Sequence, residues 1–269
     1  MKDNRIYQRK CRIVSKDHIS QLCYIIELDF REIAESSKPG QFVQIKVSDG
    51  HVPLLRRPFS VFTVNKEKGT FSVLFKVFGK GTDYLSKTEA DGFLDIIGPL
   101  GNSFQPDEYK KLILVAGGVG MPPLYNLINS IKLSDYEIYF FFGASTREEL
   151  FCFNELDRLD MNLIFTTDDG SAGIKGLITK PLEKFLIKND LENSCILACG
   201  PTPMLAAVQD LSVKYRISAQ LSTETMMACG IGLCQSCVLP KKGKNGKIDG
   251  YKLTCIEGPV FKENELVLK

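Results

Sequence analysis

Residues 111–123 read Lys111-Leu-Ile-Leu-Val-Ala-Gly-Gly-Val-Gly-Met-Pro-Pro123, and this segment defines the architecture of the central part of the chain. Residues 111–116 form a continuous apolar run, as expected of a strand whose sheet is covered on both faces. After the glycine turn, apolar side chains recur at helical spacing: Leu124, Leu127, Ile128 and Ile131. Strand, glycine turn and helix predict a nucleotide-binding α/β unit, although the turn lacks the third glycine of the usual dinucleotide fingerprint.

The chain after this unit continues with the same alternation of strands and turns. Strand-like runs lie at residues 137–142, 162–167 and 195–199. The second of these runs ends in the polar turn Asp168-Asp-Gly-Ser171, and a helix is predicted over residues 204–214. Ligands of open α/β sheets bind beyond the carboxyl ends of the strands, so we expect the binding edge there. The sequence predicts a parallel α/β domain over residues 106–220.

Cys199 ends the last of these strands and is followed by the turn Gly200-Pro201. A thiol buried in a strand is by default a small core hydrophobe. At the end of a strand, beside the start of a helix, a thiol can also contact the reacting ring of a bound cofactor. The residues alone leave both interpretations open.

The first hundred residues have a different pattern, in which short β-branched and alternating runs are separated by turns. The runs lie at residues 22–30, 42–47, 59–64 and 70–78, and the turns include Lys38-Pro-Gly40 and Glu67-Lys-Gly69. Short strands at this spacing, with little amphipathic helix between them, are typical of a compact antiparallel barrel. We therefore predict an antiparallel β-barrel domain over residues 1–105.

Two motifs in this barrel can bind a phosphorylated cofactor. In Arg57-Pro58-Phe59-Ser60, a guanidinium can bind a pyrophosphate with two hydrogen bonds, while Ser60 and the backbone face a flat heterocycle. Gly81-Thr82 stands at a predicted helix start, which is a natural anion site. Taken alone, the first motif is better explained as an edge strand with solvated arginines. The second motif downstream favours a cofactor.

Near the end of the chain lies a cysteine segment, Cys229-Gly-Ile-Gly-Leu-Cys234-Gln-Ser-Cys237, and Cys255 follows it. The gaps of four, two and seventeen residues have the spacing of a plant-type [2Fe–2S] site. Gly230 and Gly232 permit a loop that wraps around such a cluster. The alternatives are four unrelated buried thiols and structural zinc, which usually takes two short paired knuckles instead. The spacing predicts a small [2Fe–2S] lobe over residues 221–269.

The composition excludes several classes of protein. The net charge of +2 gives no reason to expect a nucleic acid or an anionic membrane as partner, and no apolar run is long enough to span a bilayer. The other five cysteines are scattered, which favours a reducing cytoplasm over a disulfide framework: Cys11, Cys23, Cys152, Cys195 and Cys199. The basic segment at residues 241–247 is interpreted as a solvated hairpin tip.

Together these motifs give the chain a family resemblance. In order, Arg57 to Ser60, Gly117 to Gly120 and Cys199 to Met204 resemble the ferredoxin–NAD(P) reductase superfamily. The segment Met227 to Cys237 is most similar to the electron-transfer subunit of NAD-dependent (type B) dihydroorotate dehydrogenase. The resemblance implies an α+β multi-domain chain with an antiparallel FAD-binding β-barrel, a parallel α/β NAD-binding domain and a small C-terminal [2Fe–2S] lobe. The implied partner is an FMN-containing catalytic subunit, as part of a heterotetramer.

The resemblance also implies roles for individual residues. The FAD site would consist of Arg57, Pro58, Phe59, Ser60, Leu74, Phe75, Lys76, Gly81 and Thr82. The nicotinamide site would be bordered by Gly117, Gly118, Val119, Gly120, Cys199, Gly200 and Pro201. The cluster ligands would be Cys229, Cys234, Cys237 and Cys255. The chain departs from the family at Met121-Pro122. It also departs at Lys76, where relatives usually carry arginine, and lysine lacks the fork geometry of the guanidinium.

The implied activity is a redox relay, in which FAD converts between hydride transfer to NAD⁺ and single-electron transfer through the cluster. The expected reaction of the whole complex is oxidation of dihydroorotate to orotate, in pyrimidine biosynthesis. We expect no catalytic residue for dihydroorotate in this chain, since neither His18 nor His51 belongs to a catalytic constellation. Two alternatives remain. One is the small subunit of a ferredoxin–NADP transhydrogenase or a sulfide dehydrogenase, and the other is a non-enzymatic zinc- or redox-sensing protein.

Overall fold

The first part of the chain folds into a seven-stranded antiparallel sheet with strand order β4-β3-β7-β1-β2-β6-β5. The computed structural model describes residues 5–48 and 50–268. The strands are β1 (Tyr7–Ser20), β2 (Cys23–Asp29), β3 (Phe42–Lys46), β4 (Arg57–Ser60), β5 (Thr63–Asn65), β6 (Thr70–Lys76) and β7 (Phe93–Leu100). Two short helices, α1 (Arg31–Ser36) and α2 (Lys80–Ser86), flank the sheet.

The two edges of this sheet are brought together by a short connection. Strands β4 and β5 lie at opposite edges, yet only Val61 and Phe62 separate them. The Val61 amide donates to Gln41 O on the β3 side (3.1 Å), and the Phe62 amide donates to Ser72 O in β6 (2.8 Å). The sheet therefore curls into a barrel around an apolar core. The strand predicted over residues 59–64 is in fact two strands, because the chain changes its pairing partner at this point.

The middle of the chain forms a second seven-stranded sheet, with strand order β11-β10-β9-β8-β12-β13-β16. Its strands are β8 (Lys111–Gly117), β9 (Glu137–Ala144), β10 (Asn162–Thr167), β11 (Ile174–Lys175), β12 (Ser194–Cys199) and β13 (Ser218–Ser222), all parallel, with β16 antiparallel at one edge. The helices are α3 (Met121–Ser130), α4 (Phe153–Asp157), α5 (Thr179–Lys188) and α6 (Thr202–Tyr215).

Helices cover both faces of this parallel sheet, as the continuous apolar strands require. Leu112 and Leu114 of β8 pack toward α3, whereas Ile113 and Val115 pack toward α5 and α6. Pro122 and Pro123 occupy the first turn of α3, where the missing N–H groups of proline are tolerated. The sheet edge formed by the carboxyl ends of β8, β9, β10 and β12 thus lies beside the start of α3.

The C-terminal segment is a hairpin followed by a turn and a strand. It comprises β14 (Val238–Lys242), β15 (Ile248–Leu253), α7 (Thr254–Glu257) and β16 (Val260–Lys262). The hairpin tip predicted at residues 241–247 is confirmed. Strand β16 pairs antiparallel with β13, so the segment extends the edge of the second sheet. The Asn102 side chain, just after β7, donates to Glu257 O (2.9 Å) and Val260 O (2.8 Å) and ties this segment to the barrel.

The predicted architecture of an antiparallel barrel, a parallel α/β sheet and a small C-terminal lobe is confirmed. The division at residues 105 and 220 stays a prediction, since β16 belongs to the last segment and pairs within the second sheet. Across the described residues, we find no helix with the length and apolar character needed to cross a membrane.

Candidate functional site

The cysteine segment forms a tight loop whose backbone amides point at sulfur. Gly230 and Gly232 adopt left-handed φ values of 71° and 83°, which side chains with a Cβ rarely adopt. The Ile231 amide donates to Cys229 Sγ (3.5 Å), and so does the Cys234 amide (3.4 Å). Amide donors of this kind stabilise the negative charge of thiolates, so the loop is built to hold anionic sulfur.

The four thiols are arranged as two pairs. Cys229 and Cys234 lie together at the surface, where the Cys229 amide donates to Cys234 Sγ (3.5 Å). Cys237 and Cys255 lie beneath them, with 2% and 1% of their surfaces exposed. Across residues 5–48 and 50–268, no three His, Cys, Asp or Glu side chains converge on one point suited to a single ion. Two pairs of thiols fit a cluster of two irons better than one zinc ion.

The environments of the two pairs differ strongly. Hydrogen bonds from the Ser236 hydroxyl and from the amides of Cys229 and Ser236 lower the pKa of Cys234 to about 6. Burial, together with the neighbouring Cys237 sulfur, raises the pKa of Cys255 to about 12. A buried thiolate pair needs a cation to be stable, because desolvation penalises the charged form. Iron would provide that charge, so the thiols present fit the implied cluster.

The depressed pKa of Cys234 predicts selective alkylation of cluster-free protein. The thiolate is the nucleophile, so the rate of reaction with iodoacetamide at Cys234 should rise to half its maximum near pH 6. Buried Cys199, whose pKa is raised by burial, should remain unmodified in the same experiment. Mass spectrometry of peptides alkylated across a pH series measures the modification of Cys234 and of Cys199. A midpoint near the ordinary thiol value of about 8.5 would contradict this reading of the loop.

A cavity of about 410 Å³ lies between the barrel and the second sheet. It is lined by six of the residues predicted for the flavin: Pro58, Phe59, Ser60, Leu74, Phe75 and Lys76. Phe59 and Phe75 are inclined to each other, with ring centroids 5.7 Å apart. Apolar walls with one hydroxyl and one ammonium group suit a flat, partly polar heterocycle. The lining residues therefore fit a flavin ring.

The other three predicted flavin residues meet beside this cavity. The Arg57 side chain lies over Gly81, where an added Cβ would come within 2.6 Å of Arg57 Nε. The Thr82 hydroxyl accepts hydrogen bonds from the Phe78 amide (2.9 Å) and the Gly79 amide (3.1 Å), so it stabilises the turn at residues 78–82. The structure thus brings a guanidinium to the start of α2, as a pyrophosphate site needs. Direct contact of Thr82 with the cofactor stays a prediction.

A second cavity, of about 480 Å³, lies at the carboxyl edge of the parallel sheet. Its lining includes the predicted nicotinamide residues Gly117, Gly118, Val119, Gly120, Gly200 and Pro201. A Cβ on Gly120 would lie 2.3 Å from Cys199 O, so glycine there lets the two turns touch. A Cβ on Gly118 would meet nothing within 4 Å, so this residue borders open space. The cavity wall at Gly118 is where a ligand can approach the backbone.

The two cavities adjoin, because Lys76, Val119 and Glu224 line both. Cys199, predicted for the nicotinamide site, faces the first cavity at this junction. Lys76 of the barrel also forms an ion pair with Glu149 of the second sheet, close to the point where the cavities meet. The barrel and the parallel sheet are therefore joined at the position where two bound rings would face each other.

Glu224 is a site residue that sequence reasoning missed. Its side chain is accessible from the cleft, but the protein around it displaces much of the water and raises the pKa of its carboxyl. Burial also raises the pKa of Cys199, and the Glu224 carboxyl adds to this effect, so the thiol is neutral at pH 7. No spacing motif contains Glu224. The available signal was its place two residues after β13, at the edge where ligands bind.

Comparisons with known proteins agree with these sites. Three family models match the chain: the oxidoreductase FAD-binding domain (residues 10–104), the oxidoreductase NAD-binding domain (residues 114–210) and the iron-sulfur cluster binding domain of dihydroorotate dehydrogenase B (residues 224–267). The predicted FAD, NAD and iron–sulfur cofactors are thereby confirmed at the level of domains. The segment that forms the cysteine loop falls within the third match.

Two solved structures show the same fold. A chain of the NADH-dependent reduced ferredoxin–NADP oxidoreductase, described in connection with flavin-based electron bifurcation, superposes with a TM-score of 0.84 at 30% identity, covering 96% of this chain and 90% of that one. The ferredoxin reductase of carbazole 1,9a-dioxygenase superposes with a TM-score of 0.69 at 19% identity, covering 80% and 68%. The second likeness concerns the fold alone.

Two relatives in sequence carry the same description. The dihydroorotate dehydrogenase B (NAD(+)), electron transfer subunit, of Geobacillus thermodenitrificans is 34% identical over 267 residues, covering 98% of this chain and 100% of that protein. The subunit of the same description from Desulforamulus reducens is 32% identical over 245 residues, covering 91% and 92%. The present chain therefore belongs to the family of dihydroorotate dehydrogenase B (NAD(+)) electron transfer subunits, which are oxidoreductase components.

Proposed function

We propose that this chain carries electrons between NAD and a catalytic subunit that contains FMN, through FAD in the first cavity and a [2Fe–2S] cluster in the cysteine loop. One observation carries the proposal, which is that the three sites are contiguous. Lys76, Val119 and Glu224 line both cavities. Phe42 and Met227 line the first cavity and also pack in the cluster of side chains that buries Cys237 and Cys255.

The chain's own residues have distinct tasks in this proposal. Arg57 and the backbone at Gly81 hold the pyrophosphate of FAD, and Pro58 to Ser60 with Leu74 to Lys76 hold its ring. Cys229 and Cys234 hold one iron, and Cys237 and Cys255 hold the other. FAD supplies the conversion between hydride transfer and single-electron transfer. Neutral Cys199 and the Glu224 carboxyl border the place where nicotinamide would meet the flavin.

The second cavity favours NAD over NADP. The carboxylate of Asp168 lines it just after β10, and a 2′-phosphate beside it would meet like charge. Arg147, the cation that could have attracted such a phosphate, does not line this cavity. Like charges in a protein cleft cost on the order of 1–2 kcal/mol, or roughly tenfold in affinity. We expect kcat/KM for NADH to exceed that for NADPH at least about tenfold, and Asp168→Asn to narrow the gap.

The partner and the location complete the proposal. We infer a heterotetramer of two such chains and two FMN-containing catalytic subunits that oxidise dihydroorotate to orotate. The outer pair, exposed Cys234 and half-buried Cys229, gives the cluster an outer side for that partner. All nine cysteines are free thiols in the described structure, which supports a reducing, cytoplasmic location.

The test is reconstitution under anaerobic conditions. The chain is co-expressed with an FMN-containing dihydroorotate dehydrogenase catalytic subunit, the complex is purified, and NADH formation is followed at 340 nm after addition of dihydroorotate and NAD⁺. The proposal predicts dihydroorotate-dependent NADH formation that requires both chains. A complex that oxidises dihydroorotate with an artificial dye but forms no NADH would refute it.

A second candidate function rests on the solved structure with the TM-score of 0.84. In this alternative, the chain serves a partner that exchanges electrons with ferredoxin and NADP. The same preparation separates the two functions. Reduction of NADP⁺ by reduced ferredoxin, without any response to dihydroorotate, would favour the alternative.

A further inference from the structure

Gln44 lies in the middle of β3 with an amide that has no partner. Its side chain is fully buried, with 0% of its surface exposed. Both amide atoms, Nε2 and Oε1, lack a hydrogen-bond partner among the residues that the structure describes. An unpaired buried amide costs on the order of 1–3 kcal/mol, so such a group is rare unless it has a function.

The direction of this side chain follows from the alternation of β3. Val43 and Ile45 point into the barrel core, so Phe42 and Gln44 point to the opposite face. Phe42 on that face packs with Cys237 and Cys255. Gln44 therefore lies on the side of the barrel wall that carries the cysteine lobe.

The contact of Gln44 with the cysteine loop is direct. A Cβ built on Gly230 would lie 2.7 Å from both Gln44 Cγ and Gln44 Nε2. Gly230 follows Cys229, and its positive φ of 71° turns the loop toward the barrel. The amide of Gln44 thus reaches the inner side of the loop, in a space that only a residue without a side chain can border.

The other sulfur-directed donors come from the loop itself. The amides of Ile231 and Cys234 both donate to Cys229 Sγ, and the amide of Cys229 donates to Cys234 Sγ, in the outer pair of thiols. In the inner pair, Cys255 accepts a hydrogen bond from the Gly232 amide. Gln44 approaches from the inner side, the one that faces the barrel. No described thiol is a hydrogen-bond partner of the Gln44 amide, so the acceptor that the proposed cluster would bring to this place is a bridging sulfide.

We propose that Gln44 is a positioning residue for the cluster: its side-chain Nε2 donates a hydrogen bond to a sulfur on the inner side and tunes the reduction potential. This inference rests on the proposed binding of a [2Fe–2S] cluster by the cysteine loop. Gln44 also pairs in register with Pro58 of the flavin-binding strand β4.

The direction of the effect follows from charge. Reduction adds one electron to the cluster and makes its sulfurs more negative, so an N–H donor stabilises the reduced form more than the oxidised form. Removal of the donor therefore makes reduction less favourable and lowers the potential. Gln44→Met keeps nearly the same volume and removes the donor. We expect a roughly tenfold shift in the one-electron equilibrium, which corresponds to about 59 mV toward negative potential.

The experiment is a redox titration of the FAD- and cluster-loaded protein, followed by EPR for the cluster and by absorption for the flavin. Gln44→Met should lower the cluster potential and leave the flavin potential unchanged. The matched control is Gln21→Met, which makes the same change on an exposed side chain outside the cysteine loop and should leave both potentials unchanged. An unchanged cluster potential in loaded Gln44→Met, or an equal shift in both variants, would overturn the proposal.

A second measurement is independent of whether Gln44→Met takes up the cluster. Gln235→Met protein is labelled with ¹⁵N in its glutamine side chains, and pulsed EPR is recorded on the reduced cluster. A ¹⁵N coupling should be present, because Gln44 is then the glutamine in contact with the loop. Loss of that coupling would overturn the inference while leaving the cluster itself established. Absence of iron and sulfide from the unaltered protein would instead refute the proposed function.

Discussion

Replacement of Cys234 by serine is expected to abolish electron exchange with the catalytic partner while largely sparing reduction of the flavin by NADH. Cys234 is the exposed member of the outer pair of thiols, and it accepts a hydrogen bond from the Cys229 amide. Its thiolate is favoured by the Ser236 hydroxyl. Loss of a cluster ligand should cost at least ~100-fold in dihydroorotate-dependent NADH formation, since even outer-shell changes cost tenfold to a hundredfold.

The control for this change is Cys152→Ser. Cys152 is a free, half-buried thiol that lies in the second sheet's domain and takes no part in the cysteine loop. Stopped-flow absorption at 450 nm measures NADH reduction of FAD, and the coupled assay measures transfer to and from the partner. Both activities should survive in Cys152→Ser, and only the first in Cys234→Ser. Survival of partner-coupled turnover in Cys234→Ser would contradict the assignment of the loop.

Gly120→Ala is the second change with a large expected effect. An added Cβ would lie 2.3 Å from Cys199 O and 2.5 Å from Cys199 C, a distance that side-chain rotation cannot relieve because both atoms are backbone. The turn at residues 118–120 and the end of β12 must then separate. We expect a loss of roughly 3 kcal/mol of stability and of at least ~10-fold in the rate at which NADH reduces the flavin.

Gly118→Ala provides the matched comparison. At this position a Cβ meets nothing within 4 Å, so the substitution costs only the strain of φ +51°, about 1 kcal/mol. The melting temperature should change little, but KM for NADH should rise, because the methyl group enters the cavity beside the nucleotide. Thermal denaturation measures the melting temperature of both variants, and steady-state kinetics measures their KM for NADH. Equal melting temperatures for the two variants would show that the contact at Gly120 is not a tight one.

The local features of the fold were accessible from the sequence. The apolar run at residues 111–116, its glycine turn and the spacing of the cysteines are all set by neighbours in the chain, and each predicts an element that the structure contains. The flavin motif was recognisable only through a resemblance. Arg57 taken alone is better explained as a solvated edge residue, and its position over Gly81 depends on how α2 returns to the barrel.

Features that depend on contacts between distant elements were not accessible. Strand β16 lies near the C-terminus and pairs with β13 at the edge of the second sheet, and no local sequence pattern predicts that pairing. Gln44 is one polar residue in an apolar strand, which by itself indicates a solvent-facing position, yet the cysteine lobe buries it completely. Glu224 and the Lys76–Glu149 ion pair become site features only because the barrel and the parallel sheet meet there. Periodicity reports which face is buried and not what covers it.

The central claim is that the cysteine loop lies on the electron path between the partner and NAD. The most direct test is freeze-quench EPR of the anaerobic complex after mixing with dihydroorotate in the absence of NAD⁺. We predict that the signal of a reduced [2Fe–2S] cluster appears at a rate at least equal to turnover and disappears when NAD⁺ is added. Full-rate formation of NADH by a complex whose cluster stays oxidised, or contains no iron, would contradict the account.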